Sequence, residues 1–222
     1  MPAEPGWSIW EFAGVVEAAA AAGHPLLVMA PHELDGERLR RLRADGVIGL
    51  VVVGEGSEAA APMVAAAVAA GMPTAVHAPL FDGLACDRAD SDHEAGGRLI
   101  AGHLLAAGRR RLATVWPRRD DRDPDRLPWS RSRQAGIAQA CAAAGAPAPL
   151  RRVWQAPHGR EAWIAAAMAH LADLFDGERA VDGLLVHSDG DVPWTIEALR
   201  RLGRSAHDDI AVAGYDHYWR PD

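Results

Sequence analysis

The sequence predicts an α/β fold of two similar lobes, each a parallel sheet flanked by helices. Short apolar runs alternate with stretches of helical period along most of the 222 residues, the layout of parallel strands joined by helical crossovers. The alternation is interrupted around Asp92 and then resumes, so the second half repeats the layout of the first. With 49% hydrophobic residues the chain can fill a core of that size.

Taken in order, Trp7 to Ala22 reads as a helix, with Ile9, Phe12, Val15, Val16 and Ala19 on one face and Gly23 as its stop. Pro25 to Ala30 is an apolar strand, and Asp35 to Ala44 a charged helix whose inner residues are Leu39 and Leu42. Val47 to Val53 is a near-continuous apolar run, the pattern of a parallel strand covered on both faces. A helix from Ala59 to Ala70 and a strand from Pro73 to His77 follow. Asp92 to Gly108 is the crossover helix, with Leu99, Ile100, His103 and Leu104 at helical spacing and Gly108 as a C-terminal stop. It feeds through Arg109–Arg111 into a strand from Leu112 to Val115. The expected boundary lies here, with residues 1–109 as the first lobe, 110–222 as the second, and the crossover as a hinge candidate.

The second lobe reads as a polar loop from Arg118 to Trp129, a helix from Arg131 to Ala144, a strand from Arg152 to Trp154 and a helix from Arg160 to Phe175. Gly183 to His187 is a buried strand, Val192 to Leu202 a helix and Ile210 to Ala213 the last strand. Two such lobes in series predict a ligand site in the cleft between them, at the carboxyl ends of the strands.

Composition narrows the function. A net charge of −7 gives no electrostatic basis for direct nucleic-acid binding by these residues. All 23 basic residues are Arg, and Lys and Asn are absent, a bias that goes with the Ala-rich background and marks no site. Cys86 and Cys141 are far apart and lack metal-knuckle spacing, consistent with small thiols in a reducing compartment. No segment approaches the length of a membrane span, and MPAEPGWSIW lacks the basic and apolar regions of a signal peptide, so a cytoplasmic location is expected. Gly54 to Ala59 formally fits a dinucleotide-binding pattern, but its two glutamates would face a pyrophosphate, and it reads as a loop. The run His187-Ser188-Asp189 lacks the elbow of a hydrolase nucleophile, and the ten histidines show no metal-ligand spacing. No catalytic residue, cofactor or metal is expected.

Several motifs carry a family resemblance. Asp92, Gly96, His103, Leu104, Gly108 and Arg111 match D-x-x-x-G-x-x-x-x-x-x-H-L-x-x-x-G-x-x-R; Arg133, Gly136 and Ile137 match an R-x-x-G-F element. Ser188 and Asp189, followed by Leu199 and Gly203, match an N-D helix start, and Asp209 to Asp216, DIAVAGYD, is the most specific match. From about residue 5 to 217 the chain resembles the effector-binding core of LacI/GalR-type transcriptional regulators. The resemblance implies a type I periplasmic-binding-protein-like fold, a small polar effector such as a sugar, a homodimer, and DNA contact only through a headpiece. No headpiece, first strand or final crossovers are seen in these residues, so the core reads as incomplete at both ends.

The same match implies that Arg133 reaches effector hydroxyls or carboxylates, a task suited to a planar guanidinium; the plainer reading is a solvated Arg at a helix start. Asp189 and Asp216 each follow an apolar strand, where carboxylates accept paired hydroxyl hydrogen bonds, although Asp189 also suits a helix cap and Asp216 a turn. Ser188 stands where relatives carry Asn, which implies a different effector. Trp7, one of two aromatics the family places at its first helix, and Trp129, in the loop before Arg133, offer faces for a sugar ring or simple packing. Asp92 fits the family's Asp near the cleft or a cap of the crossover helix. A free-standing solute-binding protein of the same fold is the alternative, and a small hydrolase or dehydrogenase a more distant one.

Overall fold

The computed structural model describes residues 8–30, 34–53, 60–77, 85–118 and 123–216. It divides into two compact units, 1–91 and 92–222.

The first unit holds α1 (Ser8–Ala21), α2 (Gly36–Ala44), β1 (Leu50–Val52), α3 (Ala60–Ala69), β2 (Thr74–His77) and β3 (Asp87–Ala89). Its strands run parallel in the order β1-β2-β3. Asp35 caps α2, its carboxylate accepting from the Arg38 amide at 2.7 Å, which satisfies one of the donors a helix start leaves over. Leu39 of α2 and Met63, Val64 and Ala67 of α3 pack with Val52 and Val76 to form the core.

Two expectations change here. Pro25 to Ala30 forms no strand, and Leu27 and Val28 stand 64% and 66% exposed. Apolar composition does not hold a strand without a ladder, and among the described residues β1 pairs only with β2. Of the run Val47 to Val53 only Leu50–Val52 forms a strand, and there Val51 is exposed between half-buried Leu50 and buried Val52, so it is covered on one face rather than two. Conversely β3, a polar triplet with no apolar signature, is held in place by its register with Ala75 to His77.

The second unit holds α4 (His93–Ala106), β4 (Leu112–Arg118), α5 (Pro128–Ala143), β5 (Leu150–Gln155), α6 (Arg160–Leu171), β6 (Gly183–Val186), α7 (Val192–Arg201) and β7 (Ala211–Ala213). All its pairs are parallel, in the order β5-β4-β6-β7. The chain therefore moves from β4 to one side, crosses over, and continues from β6 on the other. Strand order reverses between β4 and β6, the switch point at which open α/β sheets bind ligands. Alternation along β4 supplies both faces of the sheet. Leu112 packs with Leu104, Leu105, Ile137 and Cys141 of α4 and α5; Ala113 and Val115 pack with Trp163, Ile164 and Leu199 of α6 and α7.

The crossover helix thus forms a layer of the second unit, and the division falls between Ser91 and Asp92 rather than between 109 and 110. The cause is a close crossing of α4 and α5 through glycines. A Cβ on Gly136 would overlap the Glu94 carbonyl and approach the Arg98 nitrogen to 2.9 Å, while one on Gly97 would overlap the Arg133 carbonyl. The buried stripe of α4 is accordingly Gly97, Ala101, Leu104 and Leu105. Leu99, one of the four residues at helical spacing, is 75% exposed.

Asp182, just before β6, fixes the turn after α4. Its carboxylate accepts from the Arg110 amide at 2.8 Å and the Arg111 amide at 2.8 Å. Asp182→Ala strands both donors and should lower unfolding free energy by ~1–3 kcal/mol. A reduced urea midpoint at unchanged slope would show it.

Candidate functional site

The carboxyl edge of the second sheet gathers side chains from five segments. Trp116 comes from the end of β4, His187 follows β6, Tyr215 and Asp216 follow β7, His93 opens α4, and Trp129 and Arg133 lie in the first turns of α5. Pro128 occupies the start of α5, where its missing N–H costs nothing and its φ is already helical. Trp129 therefore belongs to the helix and not to the preceding loop. Four residues apart, Trp129 and Arg133 share a helical face, and the guanidinium sits 5.1 Å from the Trp129 ring centroid.

Arg133 is the centre of the arrangement. It is 6% exposed, and its guanidinium lies 3.4 Å from the Tyr215 ring centroid, a cation–π contact in a desolvated place. Nη1 donates to the His187 carbonyl at 2.9 Å. Nη2 lies 3.4 Å from both Asp216 Oδ1 and His93 Nδ1, at the long limit of useful hydrogen bonding. Trp116 stacks on His187 at 3.7 Å between centroids, and Trp129 is 5.2 Å from each. The result is a guanidinium bedded among aromatic rings.

Burial sets the charges. It depresses the Arg133 pKa, against the opposing pull of Asp216. It raises the Asp216 carboxyl above the usual Asp range; Arg133 opposes this and the Asp189 charge adds to it. Burial likewise raises the Tyr215 hydroxyl. A carboxylate in this state gains from any ligand hydroxyl that hydrogen-bonds it.

The sequence-selected residues divide into three groups. Arg133, Asp216 and Trp129 come together, with Asp189 close enough to act on Asp216. The Asp189 amide donates to the Tyr215 carbonyl at 2.8 Å, and its carboxylate packs against Gly214, where a Cβ would overlap it. Two others act as caps. Ser188 Oγ accepts from the Gly190 amide at 3.3 Å at the head of a 3-10 turn, Asp189–Asp191, which leads into α7. Asp92 accepts from the Ala95 amide at 2.8 Å and caps α4, while its charge reaches Tyr215. Trp7 and the loop Gly54 to Ala59 lie outside the described residues.

His187, Tyr215, Trp116 and His93 are not among the site residues that the motifs indicate. Tyr215 had a signal, as the aromatic of DIAVAGYD, and Gly96 is its counterpart: a Cβ there would overlap the tyrosine hydroxyl. Trp116 and His187 look like the last residues of apolar strands, and only the sheet order brings them side by side. Among the described residues no group of three or more His, Cys, Asp or Glu is placed to hold a metal. None of the described helices is long and apolar enough to cross a membrane.

An α/β protein with an open parallel sheet has its switch point where such sheets bind ligands, and here polar and aromatic side chains converge on it. The chain belongs to the periplasmic binding protein-like domain family, whose model matches residues 101–221. Similar solved structures include a LacI family transcriptional regulator from Enterococcus faecium with bound ribose, 20% identical, TM-score 0.67, covering 98% of this chain and 76% of that one. A regulatory protein of the LacI family from Chloroflexus aggregans is 21% identical, TM-score 0.71, with the same coverage, 98% and 76%. A periplasmic binding protein/LacI transcriptional regulator from Alkaliphilus metalliredigens, complexed with D-xylulofuranose, is 17% identical, TM-score 0.63, covering 97% and 76%. At these identities the likeness shows the fold. No curated protein matches the sequence. The LacI-type resemblance read from the motifs agrees with the family and with these neighbours, which are regulators rather than enzymes.

Proposed function

We propose that this chain is the effector-sensing core of a LacI/GalR-like transcriptional regulator, and that its effector is a sugar or a similarly small polar molecule bound at the carboxyl edge of the second sheet. The observation that carries this reading is Arg133, buried at the switch point with Nη2 in long contacts to Asp216 and His93. Ligand hydroxyls would replace those contacts with shorter ones. In this reading Arg133 donates to the ligand, Asp216 and Asp189 accept from its hydroxyls, and Trp129 covers an apolar face of the ring. Ser188 and Asp92 act as positioning residues, holding the helix starts on which the site rests.

The neighbours with ribose and with D-xylulofuranose bound support the ligand class. In such a regulator the ligand shifts a dimer between two states and so alters DNA binding by its headpieces, in the cytoplasm. Calorimetric titration of the chain with ribose and a panel of pentoses and hexoses tests the sensing role. Saturable binding of one sugar class is the expected result, and no heat from any of them counts against it. The D-xylulofuranose-bound neighbour, whose name joins both roles, keeps a free-standing solute-binding protein as the second reading. An effect of the sugar on operator binding by the full-length protein separates the two.

Asp216 gives a pH signature. Its pKa without ligand is raised by burial, so with the site empty its contribution to stability is present at acid pH and is lost as pH rises through that value. A ligand that bonds the carboxylate lowers the pKa again. Affinity should therefore be full above the raised pKa and fall as pH drops through it. Asp216→Asn should flatten that profile, and an unchanged acid limb in this variant would remove Asp216 from the site.

A further inference from the structure

Negative charge is in excess at the carboxyl edge of the second sheet. Two guanidiniums line the hollow there, Arg133 and Arg151. Both already have carboxylate partners, Arg133 in Asp216 at 3.4 Å and Arg151 in Asp125. Arg133 is committed further, with Nη1 on the His187 carbonyl and its face on the Tyr215 ring. Asp189 and Asp92 are left over. Asp189 packs against Gly214 and its charge acts on Asp216. Asp92 caps α4 through the Ala95 amide and its charge acts on Tyr215. Among the described residues no arginine pairs with either carboxylate.

An anionic ligand entering here finds both guanidiniums taken and two carboxylates without a counter-charge. Like charges brought together where water is partly excluded cost several-fold to many-fold in affinity. An ammonium group meets the opposite obstacle, because the aromatic face it would use already carries the Arg133 guanidinium. Uncharged hydroxyls suit the arrangement, since each can donate to a carboxylate and accept from Arg133 Nη2.

We propose that the effector is an uncharged sugar, and that Asp189 is the residue that turns away forms of the same sugar bearing a phosphate or a carboxylate. This rests on the sensing role proposed above and narrows its ligand class. Such a sensor reads the free sugar and not the product of its phosphorylation.

The test is calorimetric titration of the full chain with matched ligands: D-ribose against ribose 5-phosphate, and D-glucose and glucuronamide against glucuronate, with glucosamine as the cation. Glucuronamide and glucuronate have the same size, so their difference isolates charge. The affinity ratio of neutral to anionic partner should be ~30 or more, and glucosamine should bind no more tightly than glucose. Asp189→Asn keeps the shape and removes the charge, and should cut that ratio ~5-fold or more. Asp92→Asn, which keeps a capping acceptor, should move it in the same direction. A ratio near one in the parent chain, or tighter binding of glucosamine than of glucose, overturns the inference and leaves the sensing role standing. A ratio that stays high in both variants overturns the part given to Asp189. Absence of binding by every ligand of both sets removes the sensing role and this inference together.

Discussion

Gly136→Ala should lower the melting temperature of the second unit by about 6–12 °C. The added Cβ would overlap the Glu94 carbonyl and come within 2.8 Å of its carbon and 2.9 Å of the Arg98 nitrogen. These are backbone atoms in the opposite helix, so no rotamer change relieves the overlap, and α4 and α5 must separate. Overpacking a tight core costs ~1–3 kcal/mol and occasionally more; a contact between two helix backbones belongs at the upper end. Gly102→Ala on the outer side of α4 is the control. Its Cβ meets nothing within 4 Å, and exchanging a half-buried helical Gly with room for a methyl for Ala should add ~0.5–1 kcal/mol. If both variants melt like the parent, the helices do not cross through these glycines.

Much of the second unit was legible because three of its four strands are long or buried and its helices end on recognisable stops. Four parallel strands and their crossovers lie where the apolar runs predict them, and Arg133, Gly136 and Asp216 are motif residues in the sequence itself. The first unit was harder to read. Pro25 to Ala30 is as apolar as a strand, but strand formation depends on a neighbour's hydrogen bonds, which hydropathy does not record. Polar β3 is the converse, a strand by virtue of its neighbour alone. The aromatic bed around Arg133 was hidden for a related reason. Trp116 and His187 are 71 positions apart in the sequence and stack because β4 and β6 are adjacent. The glycines in the motifs were visible as matches, but their role, admitting Tyr215 and the α4–α5 crossing, belongs to packing.

Arg133→Met should abolish sugar binding, with a loss of affinity of at least ~100-fold, the scale on which losing a charged, hydrogen-bonded contact is felt. The thioether keeps the volume of the side-chain stem but removes every donor. It also leaves Asp216 without its cation. Breaking a buried ion pair costs ~3–5 kcal/mol. Asp216 is 31% exposed, and the pair is long, so screening reduces the expected loss to ~1–2 kcal/mol. The carboxyl pKa should climb further, and the deficit should shrink at acid pH, where Asp216 is neutral. Arg133→Met combined with Asp216→Asn should recover most of that stability at neutral pH without recovering binding. Arg133→Lys should bind weakly, because an ammonium cannot place two donors in one plane. Recovery of stability with continued loss of binding separates the ligand role of Arg133 from its part in the fold. Full affinity in Arg133→Met would move the effector site away from this edge of the sheet.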